Sequence, residues 1–362
     1  MKDIQQTAIE FNSEISNGAF ETTLVNKKQF TRTQKKALEL LRIESDQDLI
    51  LFSGVSANAL LRNINAPVYS EKNIRKKNGG FRSLDIPEKS LKLLQEKLND
   101  HLQSVYTYLR PQTTHGFVRY PNRKSCNILK NASVHTSKNY VLNMDLKDFF
   151  HSVNALRVKH VFQNSPFKFN EHLSNCLALL TTYKGRLPQG APSSPVLSNF
   201  AALSLDYKIC KLCKTYAIDY SRYADDLTFS SQSFMPEAFK NELNNLIEKE
   251  GFHVNADKTR LRSKNRKQLV TGVVVNHKAN VDRTYVRKLR AMIFDSEING
   301  LPSAAAKHLN LTTKPTTDHI SFFVRRLNGM LAFMSQIRGK DDALTLKMKN
   351  RFLNVLSIPL NQ

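Results

Sequence analysis

One short stretch limits what this chain can become more than any other. Tyr223-Ala224-Asp225-Asp226 lies between two runs, Ile218 to Tyr223 and Leu227 to Ser230, in which apolar and polar residues alternate. That pattern reads as two strands joined through a tight polar tip, a hairpin. Neighbouring carboxylates at such a tip repel each other, and holding them there costs stability unless a cation sits against them. A hard divalent metal is therefore the first functional reading. The plain alternative is a solvated Asp-Asp turn, since Asp favours turns, and these four residues by themselves favour that alternative.

A third carboxylate shifts the balance. Tyr140-Val141-Leu142-Asn143-Met144-Asp145 reads as a largely buried strand ending on an acid, followed by Leu146-Lys147-Asp148-Phe149-Phe150. If this strand pairs beside the hairpin, Asp145 joins Asp225 and Asp226 in one cluster. Two Mg2+ ions about 3.5–4 Å apart, held by carboxylates and substrate phosphates, are the apparatus of nucleotidyl transfer. One lowers the pKa of an attacking hydroxyl, and the other neutralises charge on the leaving pyrophosphate. The apolar strand ending Asp-x-x-x-x-Phe and the Tyr-x-Asp-Asp hairpin resemble motifs A and C of reverse transcriptases. Leu187-Pro188-Gln189-Gly190-Ala191-Pro192-Ser193-Ser194-Pro195 resembles their motif B, and the three occur in the family's order.

Charge points the same way. The chain of 362 residues carries a formal net charge of +23. A surplus of that size speaks to partners, and a polyanion is the obvious one, nucleic acid ahead of a membrane. No apolar run is long enough to span a bilayer, and Met1-Lys2-Asp3-Ile4-Gln5-Gln6 lacks the apolar core of a signal peptide. Cys210 and Cys213 have Cys-x-x-Cys spacing, but they fall in an expected helix with no second pair; with Cys126 and Cys176 they read as free thiols of a cytosolic protein.

Residues 1–60 read as helical. Thr33 caps a helix with Ala37, Leu38 and Leu41 on one face, Glu44 to Asp48 breaks it, and Ser53-Gly54-Val55-Ser56 starts another through Leu60 and Leu61. Arg75-Lys76-Lys77-Asn78-Gly79-Gly80-Phe81-Arg82 is a basic hairpin with an Asn-Gly turn signal. It is either a solvated charged hairpin or a triphosphate clamp, since Arg holds phosphate oxygens in pairs. Pro87 opens a helix whose Leu91, Leu94, Leu98 and Leu102 are core. The basic run Arg119 to Lys124 leads to Asn131-Ala132-Ser133-Val134-His135, a polar loop ahead of the acidic strand. Gly190 lets the backbone approach a ligand, and the helix opened by Pro195 continues through Val196, Phe200, Leu203 and Tyr207. A loop at a helix N-terminus suits phosphates and base edges. Beyond the hairpin come an amphipathic helix, Pro236 to Glu250, a basic run from Arg260 to Lys267, and a β-branched stretch, Leu269 to Asn276. From Arg283 the pattern is helical, with stripes at Tyr285, Val286, Leu289, Met292, Ile293 and at Ile320, Phe323, Val324, Leu327, Leu331.

The resemblance carries further expectations. Asn-Ala-x-x-His at Asn131, Ala132 and His135, with Val270-Thr271-Gly272, resembles two signatures of bacterial retron reverse transcriptases, and the chain is identified as similar to that group. The fold implied is α+β, a right-hand polymerase with fingers, an antiparallel-sheet palm and a helical thumb. The divisions expected are a helical segment over 1–60, fingers and palm over 61–281, and the thumb over 282–362. By the family's pattern Asp145, Asp225 and Asp226 are catalytic, and with Leu146 they hold two Mg2+ ions, Mn2+ being the alternative. Arg82, Phe149, Phe150, Gln189 and Lys258 bind the incoming nucleotide. Phe150 acts as a steric gate against a ribose 2′-OH, and Lys258 is the proton donor to pyrophosphate, otherwise a phosphate-binding surface Lys. Asp148 is structural. Asn131, Ala132, His135, Val270, Thr271 and Gly272 recognise RNA. The implied activity is RNA-directed DNA synthesis from dNTPs on a cognate structured non-coding RNA, primed from an RNA 2′-OH. Its product is branched multicopy single-stranded DNA (msDNA), serving antiphage defence in the bacterial cytoplasm with a separately encoded effector. A group II intron-like or other bacterial reverse transcriptase is the alternative within the class. An RNA-binding scaffold that restrains a toxin is the alternative outside it.

Overall fold

The computed structural model describes residues 30–76, 79–119 and 126–357. The helical reading of residues 1–29, Asn78 of the Asn-Gly turn and residues 120–124 of the basic run fall outside them. Three short helices come first: α1 (Arg32–Leu41), α2 (Asp46–Ser53) and α3 (Ala57–Asn65). Each starts after a hydroxyl that accepts from a free helix N–H, on Thr31, Ser45 and Ser56. Thr31, not Thr33, caps α1, because Gln34 stands three residues on and closes a reciprocal capping box with it. Gly54 ends α2 in the left-handed conformation, so the Ser53 to Ser56 segment separates two helices.

Strands β1 (Tyr69–Arg75) and β2 (Phe81–Pro87) pair antiparallel, from Tyr69 opposite Pro87 to Arg75 opposite Phe81. Helix α4 (Lys89–Leu109) buries Leu91, Leu94, Leu98 and Leu102 as its spacing requires. Next come α5 (Ile128–Ser133), β3 (Tyr140–Asp145), α6 (Ala155–Gln163), α7 (Glu171–Thr181), α8 (Ser194–Ala201) and α9 (Leu203–Thr215). The helix expected to run unbroken past Pro195 is interrupted at Ala202, which separates α8 from α9. They are followed by β4 (Asp219–Tyr223), β5 (Asp226–Ser231), α10 (Glu237–Lys249), a 3-10 turn (Ala256–Lys258) and β6 (Arg260–Ser263). The order in the four-stranded sheet is β4–β5–β3–β6, so β3 lies directly beside the second strand of the acidic hairpin. The described chain closes with β7 (Leu269–Val270), β8 (Val273–Val274), α11 (Arg283–Leu309), α12 (Thr317–Arg338) and α13 (Ala343–Ser357). Helices together with antiparallel hairpins make the fold α+β.

The backbone groups into two compact units, residues 1–127, 142–229 and 235–260 in one, and 128–141, 230–234 and 261–362 in the other. These limits do not coincide with the boundaries expected after residues 60 and 281. In the first unit Phe162, Phe167, Phe169 and Phe200 pack ring against ring, with Tyr106 edge-on to Phe200. In the second, Leu289, Met292 and Ile293 of α11 meet Phe323 and Leu327 of α12 and Met348 and Phe352 of α13. Each such side chain contributes about 1.5–3 kcal/mol by leaving water. Among the described residues no helix is long and apolar enough to cross a membrane.

Candidate active site

The acidic hairpin turns through Ala224 and Asp225, and Ala224 takes a φ of 60°. A positive φ at the first turn residue is what a two-residue hairpin needs to match strand twist. The turn is braced from behind. The His115 N–H donates to the Arg222 carbonyl at 2.8 Å, and the Arg222 N–H donates to the Thr113 carbonyl at 2.8 Å. At Gly116 a Cβ would overlap the Ala224 nitrogen and stand 2.8 Å from the Tyr223 carbonyl carbon. Only glycine permits so close a backbone approach.

A buried ion pair completes the brace. Arg222 and Asp206 are both fully buried. The guanidinium donates to Asp206 at 2.8 and 2.5 Å, to Asn199 Oδ1 at 3.0 Å and to the Ala224 carbonyl at 3.0 Å. Asp206 also accepts from the Tyr220 hydroxyl at 2.8 Å and the Thr114 hydroxyl at 3.0 Å. The carbonyl held by Arg222 belongs to the residue just before Asp225, so α9 fixes the turn through this pair.

Asp145 ends β3 with 7% of its surface exposed. Backbone bonds bring its neighbours to the turn: the Leu146 N–H donates to the Asp225 carbonyl at 3.0 Å, and the Asn255 N–H donates to the Asp145 carbonyl at 2.8 Å. Lys258 Nζ donates to both Asp145 carboxylate oxygens, at 2.8 and 3.0 Å. That bond, foremost, raises the Lys258 pKa. Partial withdrawal from water raises the Asp225 carboxyl; Asp145 adds to this, while Lys258 and Arg82 oppose it. Asp226 is pushed up to about 6, first by withdrawal from water and then by the charges of Asp225 and Asp145.

This donor set suits a hard divalent cation. Three carboxylates carry more negative charge than Lys258 offsets, and hard cations take oxygen ligands. Such a set fits ions that complete their shells from phosphate and water, as at nucleotidyl-transfer sites. Leu146 has a buried side chain and an engaged N–H, which leaves its carbonyl oxygen for such an ion.

The residues expected to bind nucleotide divide. Arg82 is exposed on β2, near enough for its charge to lower the Asp225 pKa. Phe150 is half-buried with its ring 5.7 Å from that of Phe117. Phe149 is 3% exposed with its ring stacked on that of Phe252 at 5.6 Å, so its side chain is part of the core. The Gln189 carbonyl accepts from the Asp85 N–H at 2.6 Å, latching the motif B loop to β2. At Gly190, with φ 123°, a Cβ would stand 2.7 Å from the Asp85 carbonyl oxygen.

The residues expected to read RNA lie in the second unit. The structure brings their two motifs together, with Asn131 Nδ2 donating to Thr271 Oγ1 at 3.4 Å. Asn131, Ala132 and His135 are buried, at 1%, 0% and 0% exposure, so their side chains do not lie on the surface. His135 Nδ1 is instead 2.7 Å from the Ser230 hydroxyl. Val270 is buried too. Thr271 and Gly272, with φ of 46° and 84°, form the tip of the β7–β8 hairpin and reach the surface. Two consecutive positive φ values make this a type I′ turn.

Sequence reasoning passed over Arg222, Asp206 and Gly116. In a chain with 54 Lys and Arg residues one more Arg carries little information, and its carboxylate partner is sixteen positions away. The local pattern gave no sharper signal, because the strand Asp219-Tyr220-Ser221-Arg222-Tyr223 is polar enough to pass for one with a solvated face.

A family model described as reverse transcriptase (RNA-dependent DNA polymerase) matches residues 74–275. The chain is 34% identical over 256 residues to the retron Mx65 reverse transcriptase of Myxococcus xanthus, covering 66% of this chain and 58% of that protein. To the retron Ec86 reverse transcriptase of Escherichia coli it is 38% identical over 172 residues, 47% of this chain and 53% of the other. With the retron Mx162 reverse transcriptase of Myxococcus xanthus it shares 34% identity over 277 residues, 67% of this chain and 55% of the other. The chain thus spans about half the length of these curated relatives. Since the family model takes in more than half of its residues, acidic strand and acidic hairpin included, this chain belongs to the reverse transcriptase family.

Proposed function

We propose that this chain is an RNA-directed DNA polymerase of the retron kind. The reading rests on one observation: Asp145, Asp225 and Asp226 meet beside Lys258 at one end of a braced sheet. The charge of +23 supports a nucleic-acid substrate, and the names of the relatives support the retron type. On this reading Asp145, Asp225 and Asp226 hold Mg2+, with Mn2+ as substitute. Ions held there would lower the pKa of the attacking hydroxyl and offset charge on the pyrophosphate. Arg82 grips the triphosphate through paired N–H donors. Phe150 limits space beside the sugar. Lys258, already held beside the carboxylates, gives its proton to the departing pyrophosphate.

The template on this proposal is a cognate structured RNA, primed from an RNA 2′-OH. The product is branched msDNA, made for antiphage defence with a separate effector in the bacterial cytoplasm. The buried Asn131 serves recognition indirectly by supporting the Thr271-Gly272 tip, and His135 by fixing the adjoining backbone through Ser230. A β-branched residue at positive φ is a strained choice, which favours a surface role for that tip. The scaffold alternative is disfavoured by the carboxylates, because a pure scaffold gains nothing from holding three repelling acids together.

Asp225→Asn tests the reading. It removes a charge and a ligand at nearly constant volume. Primer extension on an RNA template should fall by several orders of magnitude while circular dichroism stays unchanged. Activity within about tenfold of the parent would refute the assignment.

A further inference from the structure

Away from the polymerase site, three side chains of different chemistry converge on one point. His172 and Cys176 stand four residues apart on α7, hence on the same face. Asp46, the first residue of α2, comes up against them. Asp46 Oδ1 and Oδ2 lie 3.0 and 3.1 Å from His172 Nε2, and Cys176 Sγ lies 3.7 Å from the same nitrogen. One atom from each residue falls within 4.8 Å of the other two.

Asp46 and His172 are exposed and pair with each other, but proton counting shows that Nε2 cannot at once donate to Asp46 and accept from Cys176. His172 Nε2 carries at most one proton. If that proton goes to Asp46, the nitrogen cannot accept from the Cys176 thiol. If the nitrogen accepts from the thiol, its lone pair faces an Asp46 oxygen at 3.0 Å. A cation satisfies all three donors together. In a tetrahedral zinc site, bond lengths of about 2.0–2.3 Å put N and O about 3.3 Å apart and N and S about 3.6 Å apart. The observed 3.0–3.1 and 3.7 Å lie close to those spacings.

We infer that Asp46, His172 and Cys176 form a second metal site, for a thiolate- and imidazole-seeking divalent ion of the Zn2+ class. The thiolate separates it from the oxygen-only site of the three aspartates. Three protein ligands leave a fourth corner for water. The ligands sit at the rim of a cavity of about 330 Å3 lined by Leu49, Leu60, Ile64 and Leu179, between the helices the ion would tie together. The site fastens α2 to α7 and takes no part in polymerisation.

The test uses the full chain stripped of metal and titrated with Co2+, with excess Mg2+ present for the carboxylate site. The expected result is one equivalent of Co2+ showing a thiolate-to-cobalt charge-transfer band and four-coordinate d–d bands, both displaced by Zn2+. Cys176→Ser should lose the charge-transfer band and weaken binding about 100-fold or more, since even a supporting residue costs 10–100-fold. Its primer extension should be unchanged. Asp46→Asn should keep the band with weaker binding. As a check free of folding effects, Zn2+ should protect Cys176 of the unaltered chain from alkylation, read by mass spectrometry. A band retained in Cys176→Ser, cobalt bound without charge transfer, or alkylation indifferent to Zn2+ would each overturn the site.

Discussion

Replacing Arg222 with Met should show how strongly the acidic turn depends on one buried ion pair. The change removes four hydrogen bonds, two to Asp206 and one each to Asn199 and the Ala224 carbonyl. Asp206 would remain buried and charged, with only the hydroxyls of Tyr220 and Thr114 as partners. Breaking one side of a buried pair costs about 3–5 kcal/mol, and the two stranded acceptors do not lower that. Taking about 4 kcal/mol, at about 2–4 °C per kcal/mol for a domain of this size, Tm should fall by about 8–16 °C. That is a large part of the ~5–15 kcal/mol that holds a domain folded. Thermal and urea unfolding of Arg222→Met, Asp206→Asn and the double variant supply the measurement. The double variant should be at least ~2 kcal/mol more stable than the sum of the singles implies, because it leaves no unpaired charge. In refolded protein, kcat for primer extension should drop with little change in template KM, since the Ala224 carbonyl is released next to Asp225. A Tm within about 3 °C of the parent, or strictly additive singles, would refute the reasoning.

Gly116→Ala should disturb the same turn from the other side; its methyl group overlaps the Ala224 nitrogen, so we expect a loss of about 3 kcal/mol or more and severely reduced extension, read by urea unfolding and activity. Phe150→Val should raise ribonucleotide incorporation relative to deoxynucleotide incorporation, measured by competition on one template, and an unchanged ratio would assign the gate elsewhere. Asp226 has a folded pKa of about 6 against an ordinary 3.8, so folding favours its neutral form. Its stabilising contribution is complete below pH 3.8 and is lost as pH rises through about 6. In a chelator, Asp226→Asn should therefore melt above the parent well above pH 6 and lose that advantage below pH 3.8.

The chemistry of this site was legible in the sequence because it depends on residue type at fixed local spacing. Strand β3 runs from Tyr140 to Asp145 as its apolar pattern required, and the hairpin around Ala224-Asp225 needed only alternation and a tight tip. The capping box of α1 is equally local, since Thr31 and Gln34 stand three residues apart. What tertiary structure decided depends on partners far apart in sequence. Phe149 and Phe150 are adjacent aromatics that the chain alone does not distinguish. One stacks on Phe252 in the core and the other stays half-buried beside Phe117, because each meets a different distant neighbour. Asn131 and His135 have the chemistry of RNA readers, yet packing turned them inward, toward Thr271 and Ser230. The pairing of Arg222 with Asp206, the approach of Gly116 to Ala224, and the meeting of Asp46 with His172 and Cys176 each join segments from different parts of the chain. No local pattern encodes such contacts: periodicity says which face of an element is apolar, and only the packed fold says which other element meets it.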